Sequence, residues 1–423
     1  MNYEFFEEAQ KYLPGGVTYS VRSLDPFPVY IERSDRAYVW DVRGNRYIDF
    51  WMGHGALLMG HGYRPVIEAA SEQIWTAAHL GYPNPWEVKW AKQVCSMVPS
   101  AQKVRPTNSG TEANMYAVRT ARGFTGRKLV GKIEGGWHGG YDALQIGVTY
   151  PIDKPSTLGL PDETTVNTIL LPFNDLDGVE KRIKNKQLAA IVVEPVLGAG
   201  GFIPAEPDYL KGLRELCDRE GVVLIFDEVI TGFRLSAGGA QKLYGVIPDM
   251  TVLGKCVGGG PFPSGAFCGR SEIMDVLDHL KRPKPYTRVF HGGTYSGNPL
   301  AMRAGYVLMK ELEKGDVYPV LSSLGERARR SLEEALEKFE AHITGVGSLV
   351  CVHFTKEKPV DIHTANRTKD LKLTTEFSKH MLSEGILYIP PYNPHFFISA
   401  AHSVEDVDKL VEAAANFAKK HRS

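Results

Sequence analysis

The chain has 423 residues, 43% hydrophobic and 23% charged, with 49 basic residues balanced by 49 acidic ones. That length calls for one large domain and a smaller one, and the absence of net charge argues against nucleic acid or an anionic membrane as the main partner. Five cysteines without a CxxC pair read as reduced thiols, no metal centre is expected, and no apolar run approaches the ~18 residues of a membrane span. The acidic, amphipathic opening "MNYEFFEEAQKYL" has no leader character, so a cytoplasmic location is expected.

In chain order, "YIERSDRAYVWDVRGNRYIDF" (30–50) alternates apolar and charged residues around an "RGN" turn and predicts a β-hairpin or meander. From about residue 65 to 310, short apolar runs alternate with helical stretches. The runs are "RKLVGKI", "LAAIVVEPV", "GVVLIFDEV" and "DMTVLGK", and "PDYLKGLRELCDRE" is one of the helices. This pattern predicts an α/β domain of parallel strands with crossover helices. "GNPLAMRAGYVLMKELEKGDVY" predicts a long helix leaving that domain. The remainder mixes strands ("SLVCVHF", "FFISAAH") with helices, the last beginning after Ser403 as N-cap. The expected organisation is residues 1–60 joining a small domain, 61–312 forming the large one, and 313–423 completing the small α+β domain.

Each strand of the large domain ends on an unusual residue: Glu194 after "IVV", Asp227 and Glu228 in "LIFDE", Lys255 after "TVLG", and "LVGKI" runs into "EGGWHGG". In open parallel sheets ligands bind beyond the carboxyl ends of the strands. One such residue would simply meet solvent; four together point to a shared site. Ser109, Gly110 and Thr111 open a predicted helix running to Arg122, where free N–H groups suit a phosphate. The same residues also read as a capping box, Ser109 to Glu112. Neither a GxxxxGK[ST] nor a strand–GxGxxG–helix pattern is present, which disfavours nucleotides and dinucleotides.

A lysine, a phosphate cradle and a strand-end carboxylate together suit pyridoxal 5′-phosphate (PLP). The lysine takes its aldehyde as a Schiff base, and an acid keeps the pyridine nitrogen protonated so that the ring serves as an electron sink. Asp227 suits the second task; the plainer alternative is a cap for the following helix. Trp137 could stack on the ring or could be a packed anchor of its glycine-rich loop.

At these residues the chain resembles the class III aminotransferases of PLP fold type I. "TNSGTEAN", "EGGWHGG", "VEPV", "FDEVITGFR", "LGKCVGGG" and "HGGTYSGNP" stand in that family's order, with 28 residues from Asp227 to Lys255. Within the class, "YLPGGVTYSVRS", "ARGFTGR" and "AHSVED" are similar to the glutamate-1-semialdehyde 2,1-aminomutase group.

The resemblance implies a large domain with a seven-stranded, mostly parallel sheet and a smaller domain from both chain ends. It makes Lys255 the Schiff-base lysine and proton carrier, and pairs Asp227 with the ring nitrogen. Val229 and Trp137 face the two sides of the ring, Trp137 standing where the family usually has Tyr or Phe. His138 joins the cofactor contacts, and Ser109, Gly110 and Thr111 hold the phosphate. Thr294 resembles the threonine that reaches a neighbouring subunit's cofactor, which implies a homodimer with shared active sites. Arg22 matches an arginine that grips a substrate carboxylate, although by itself it reads as a surface arginine; Glu194 is placed on the substrate side. Glycines 258–260 are expected to let the chain pass close to cofactor and substrate.

Four positions depart from the aminomutases: Pro394 replaces a glutamate, Gly147 a lysine, Ala199 an asparagine and His54 a tryptophan. They fall where the mutases retain their intermediate. The first expectation is therefore ping-pong transamination between a carboxylate-bearing amino compound, such as a β-amino acid, and a keto acid. The second is the aminomutase reaction, on an aldehyde substrate. A catalytically idle PLP-fold binding protein ranks third, and Lys255, Asp227 and the phosphate loop weigh against it.

Overall fold

A computed structural model describes residues 2–388 and 393–421. The chain divides into two units, one of Arg64–Asp316 with Val360–Ile362, the other of Met1–Tyr63, Val317–Pro359 and His363–Ser423.

The larger unit is built on seven strands: β1 (Lys103–Thr107), β2 (Leu129–Ile133), β3 (Thr168–Leu171), β4 (Leu188–Val193), β5 (Val223–Glu228), β6 (Met250–Gly254) and β7 (Gly265–Gly269). Their order is β1-β7-β6-β5-β4-β2-β3. β7 runs antiparallel to both neighbours, and the other pairings are parallel. Every residue of β4, β5 and β6 is buried. That explains their unbroken apolar runs, because a central parallel strand is covered on both faces.

Helix Gly110–Thr125 lies against the sheet through Ala113, Ala117 and Ala121, one small residue per turn, packed with Val130, Val192, Ile225 and Val252. Small side chains on that stripe let helix and sheet approach closely. Its end is set by Gly126, in the left-handed conformation at φ 71°. The expected long helix after Gly297 is instead two. Asn298 caps Pro299–Glu313, Gly315 turns the chain at φ 88°, and a second helix spans Val317–Ala335.

In the smaller unit the predicted meander forms Ile31–Asp35, Tyr38–Asp41 and Arg46–Asp49, and Ile386–Leu387 from the C-terminal part of the chain pairs parallel to the last of these. A second sheet holds Ala341–Thr344, Leu349–Phe354 and His395–Phe397. An aromatic core of Phe50, Phe354, Phe377, Phe396 and Phe417 joins them to helices Leu371–Ser383 and Val404–Lys420. Ser403 caps the last helix in a full capping box with Asp406.

Candidate active site

The four strands singled out by their last residues are neighbours in the sheet, in the order β6-β5-β4-β2, all parallel. Their carboxyl ends therefore fall on one edge. The sequence pattern could count these ends; sheet order is what brings them together.

On β5 the pleat sends Asp227 and Glu228 to opposite faces. Glu228 accepts from the N–H groups of Ala240 and Gln241, from Gln241 Nε2 and from Thr231 Oγ1, so it is Glu228 that caps the short following helix, Gly239–Tyr244. Asp227 has a different set of partners. Its Oδ1 accepts from Val229 N–H at 3.0 Å, and its Oδ2 accepts from Asn114 Nδ2 and faces His138 Nδ1, both at 2.8 Å. Burial lowers the His138 imidazole below its ordinary range, with Asp227 opposing the shift. A neutral His138 therefore donates Nδ1–H to Asp227 and leaves Nε2 bare; among the described residues that buried nitrogen has no partner.

Ser109 caps helix Gly110–Thr125, its Oγ accepting from Glu112 N–H at 3.2 Å. The expected reciprocal half of the capping box is displaced, because Glu112 reaches back to Asn108 N–H at 3.0 Å instead. Among the described residues no hydrogen bond occupies the N–H groups of Gly110 and Thr111. The glycine-rich loop lies directly over this turn. Gly140 N–H donates to Thr111 Oγ1 at 3.2 Å, and a Cβ on Gly139 would stand 2.0 Å from that oxygen. Val229 packs between glycines: a Cβ on Gly110 would come within 2.8 Å of its Cγ2, and one on Gly254 within 3.0 Å of its Cγ1.

Lys255 follows β6 directly and is half-buried, with a left-handed backbone at φ 51°. A non-glycine residue held there stores strain of about 1 kcal/mol, typical of functional positions. Burial lowers its amine below the ordinary lysine value, with Asp227 and Glu194 opposing. Two of the glycines after it also meet a demand of the scaffold. A Cβ on Gly258 would meet Ser264 Cβ at 2.5 Å, and one on Gly259 would meet the Ala304 backbone at 2.9 Å. They let the turn pack against its own scaffold.

Glu194 is buried, and both of its oxygens are engaged. Oε1 accepts from Trp137 N–H at 2.8 Å and Oε2 from Gly198 N–H at 3.1 Å. Burial, reinforced by Asp227, pushes its carboxyl well above the carboxylate range. Trp137, by contrast, is 40% exposed. Thr294 lies on an exposed loop whose Ser296 accepts from Asn108 Nδ2 at 3.4 Å. Arg22 belongs to the other unit, where it closes a short 3₁₀ turn and donates to Thr18 Oγ1 at 2.9 Å.

Of the departures, Gly147 has φ 66° and no room for a side chain, since a Cβ would lie 2.4 Å from Leu170 Cδ2. His54 also has positive φ, 59°, and sits against the rings of Tyr19 and Trp51. Pro394 is buried and Ala199 exposed.

Two buried polar residues escaped the sequence reading. Asn114 sits one turn after Gly110 on the buried helix face, and its Nδ2 bridges Gly110 O and Asp227. Lys132, in β2, is fully buried. In each case a polar residue on an otherwise apolar face was the available signal.

The arrangement fits PLP. Two free N–H groups at a helix start, against a loop that leaves no space for a Cβ, suit the phosphate. A buried carboxylate held only by neutral donors suits a ring cation, and an amine of lowered basicity suits an aldehyde.

Comparison with known proteins agrees. Residues 19–413 match the family model "Aminotransferase class-III". A curated relative, glutamate-1-semialdehyde 2,1-aminomutase 2 of Brevibacillus brevis, is 41% identical over 99% of this chain and 98% of its own. Among solved structures, an omega-transaminase from Sphaerobacter thermophilus is 34% identical with TM-score 0.93, covering 100% of this chain and 98% of the other. A beta-phenylalanine aminotransferase from Variovorax paradoxus is 32% identical with TM-score 0.87, covering 99% and 94%. The fold is PLP fold type I and the protein is a PLP-dependent enzyme. The chain belongs to the class III aminotransferase family.

Proposed function

We propose that the enzyme moves an amino group within glutamate-1-semialdehyde, from one carbon to its neighbour, to give 5-aminolevulinate. The observation that carries this reading is the 41% identity, over nearly all of both chains, to a relative bearing the aminomutase name; other curated relatives at 39–42% identity bear the same name. This reverses the order of the two expectations drawn from the sequence.

When bound, the cofactor supplies an electron sink for the bond that breaks at the amine-bearing carbon. Ser109 and the N–H groups of Gly110 and Thr111 hold its phosphate. Asp227 keeps a proton on the ring nitrogen, with Asn114, His138 and Val229 N–H fixing the carboxylate. Val229 and Trp137 keep water from the two ring faces. Lys255 would hold the cofactor through its aldehyde. Released, its amine removes a proton from the substrate carbon and returns it; its lowered basicity leaves the lone pair available for the first step. Glu194 fixes the glycine-rich loop, and any contact it makes with substrate is additional to that role. Arg22 is assigned to a substrate carboxylate and Thr294 to the cofactor phosphate of a second subunit in a homodimer. A cytoplasmic location is proposed as well; no helix among the described residues is long and apolar enough to cross a membrane.

A second reading, transamination with an external keto acid, is favoured by Gly147, where this backbone admits no lysine. It also agrees with the names of the two solved relatives. The deciding experiment supplies PLP-loaded enzyme with glutamate-1-semialdehyde and no keto acid, and follows 5-aminolevulinate. Many turnovers support the aminomutase. Conversion that stops at one equivalent overturns it in favour of the transaminase, whose donors are then sought among β-amino acids.

A further inference from the structure

Lys132 is the one charged residue in the otherwise apolar strand β2, fully buried, and no assignment above uses it. Its Nζ donates to Gly136 O at 2.9 Å and to Gly147 O at 3.2 Å. Gly147 O also accepts from Gly135 N–H at 2.7 Å, so the lysine ties the start of the glycine-rich loop to the segment that follows it. Burial lowers the amine to about 7, with Glu194 and Glu134 opposing. An apolar side chain would fill this place at less cost in desolvation.

The carbonyl that Lys132 holds and the N–H that Glu194 holds belong to one peptide group. Gly136 O accepts from Lys132 on β2, and Trp137 N–H donates to Glu194 Oε1, at the end of β4, at 2.8 Å. β2 and β4 are adjacent, with Lys132 opposite Val192. In a trans peptide the C=O and N–H point in opposite directions, so holding both fixes the rotation of the plane. Gly136 is needed for this approach, because a Cβ there would come within 2.8 Å of His138 Nε2 and 3.1 Å of Ile133 O. Trp137 is 40% exposed, and among the described residues no ring stacks on it. Part of the side chain thus lies outside the core, while the backbone that carries it is held on both sides of the peptide.

We propose that Lys132 and Glu194 are paired positioning residues, which grip the Gly136–Trp137 peptide from its two ends and so set the Trp137 indole against the cofactor ring. The inference rests on the assignment of Trp137 to the ring face. Glu194 has a second bond, to Gly198 N–H at 3.1 Å, which makes the glutamine and leucine replacements informative. Glu194→Gln keeps an acceptor for Trp137 N–H and gives up the one for Gly198 N–H, whereas Glu194→Leu removes both.

The test uses holoenzyme and reads two properties of the bound cofactor: its visible circular dichroism and its dissociation constant. Lys132→Met and Glu194→Leu are expected to halve the dichroism per bound cofactor and to weaken cofactor binding about tenfold, the usual scale for losing one buried hydrogen bond. Glu194→Gln is expected to stay within about twofold of the parent. In a Trp137→Ala background, Lys132→Met is expected to add nothing, because the indole it positions is gone. The proposal is overturned if Lys132→Met leaves both properties unchanged, or if it weakens binding equally with and without Trp137. Should Lys132→Met not fold, Glu194→Leu with and without Trp137 makes the same decision. A parent enzyme without a visible cofactor band would instead defeat the cofactor assignment, a distinguishable failure.

Discussion

Asp227 and His138 meet at 2.8 Å, Oδ2 to Nδ1, where both side chains are buried. The imidazole is held neutral by burial, so it lends Asp227 a hydrogen bond without cancelling its charge. Asn114 and the Val229 N–H, the other partners, are neutral as well. The carboxylate is thus fixed in place by three donors and left with its charge for a cation that arrives with the cofactor. A lysine or arginine in place of any of them would take up that charge.

Asp227→Asn should keep the geometry and lose the charge. Cofactor is expected to remain attached through Lys255, with its visible band present, while kcat falls by roughly 100-fold. Steady-state kinetics on cofactor-loaded protein check this. Full activity in the variant would mean that the ring nitrogen needs no partner here.

Lys255→Ala should give a folded protein whose cofactor band disappears on dialysis, because the only covalent hold is gone. Absorbance before and after dialysis, with far-ultraviolet circular dichroism as the control for folding, measures it. A band that survives dialysis would place the attachment elsewhere.

Gly110→Ala separates stability from binding. A Cβ there would stand 2.8 Å from Val229 Cγ2, so Val229 must shift from its place between Gly110 and Gly254. Alanine is the better helix former, by about 1 kcal/mol, which offsets the strain in the apo protein. The expected result is a melting temperature near that of the parent with cofactor bound about tenfold more weakly. Parallel thermal melts and cofactor titrations read the two quantities, and unchanged affinity would remove Gly110 from the phosphate cradle.

His402 predicts an acid-labile smaller unit. Its Nδ1 accepts from Ser399 N–H at 3.0 Å and its Nε2 lies 3.1 Å from Asp49 O, and burial lowers it to about 4. Unfolded histidine titrates near 6.5, so the unfolded chain binds the proton first and stability is lost as pH falls from about 6.5 towards 4. The contribution is about 3 kcal/mol over that window. His291, in the larger unit and also lowered to about 4, acts in the same direction. His402→Asn should lower stability at pH 7 and flatten its decline between pH 6.5 and 4, which melting temperatures across that range would reveal. An equally steep decline in the variant would assign the acid sensitivity to other groups.

Local patterns carried much of this protein. Unbroken apolar runs marked β4, β5 and β6 because strands covered on both faces have no polar side. Ser403 and Gly126 show how far caps can be read: the first is a signature in the sequence, while the second ended its helix one turn beyond the expected Arg122. The residues at the strand ends were visible for the same reason, since a charge closing an apolar run stands out.

What the sequence by itself determined was therefore the alternation of strands and helices, the residues at the strand ends, and the motifs that mark cofactor and family. What only the tertiary structure decided was which of those residues meet. Sheet order made β6, β5, β4 and β2 neighbours. The pleat gave Glu228 the helix cap and Asp227 the site, and helix placement brought Asn114 to the carboxylate. The close approach of separate segments turned Gly258 and Gly259 into packing residues and joined Lys132 and Glu194 through a single peptide group. The physical reason is that periodicity reports which face of an element is buried, whereas a hydrogen bond between distant residues depends on strand order and register, which periodicity does not contain.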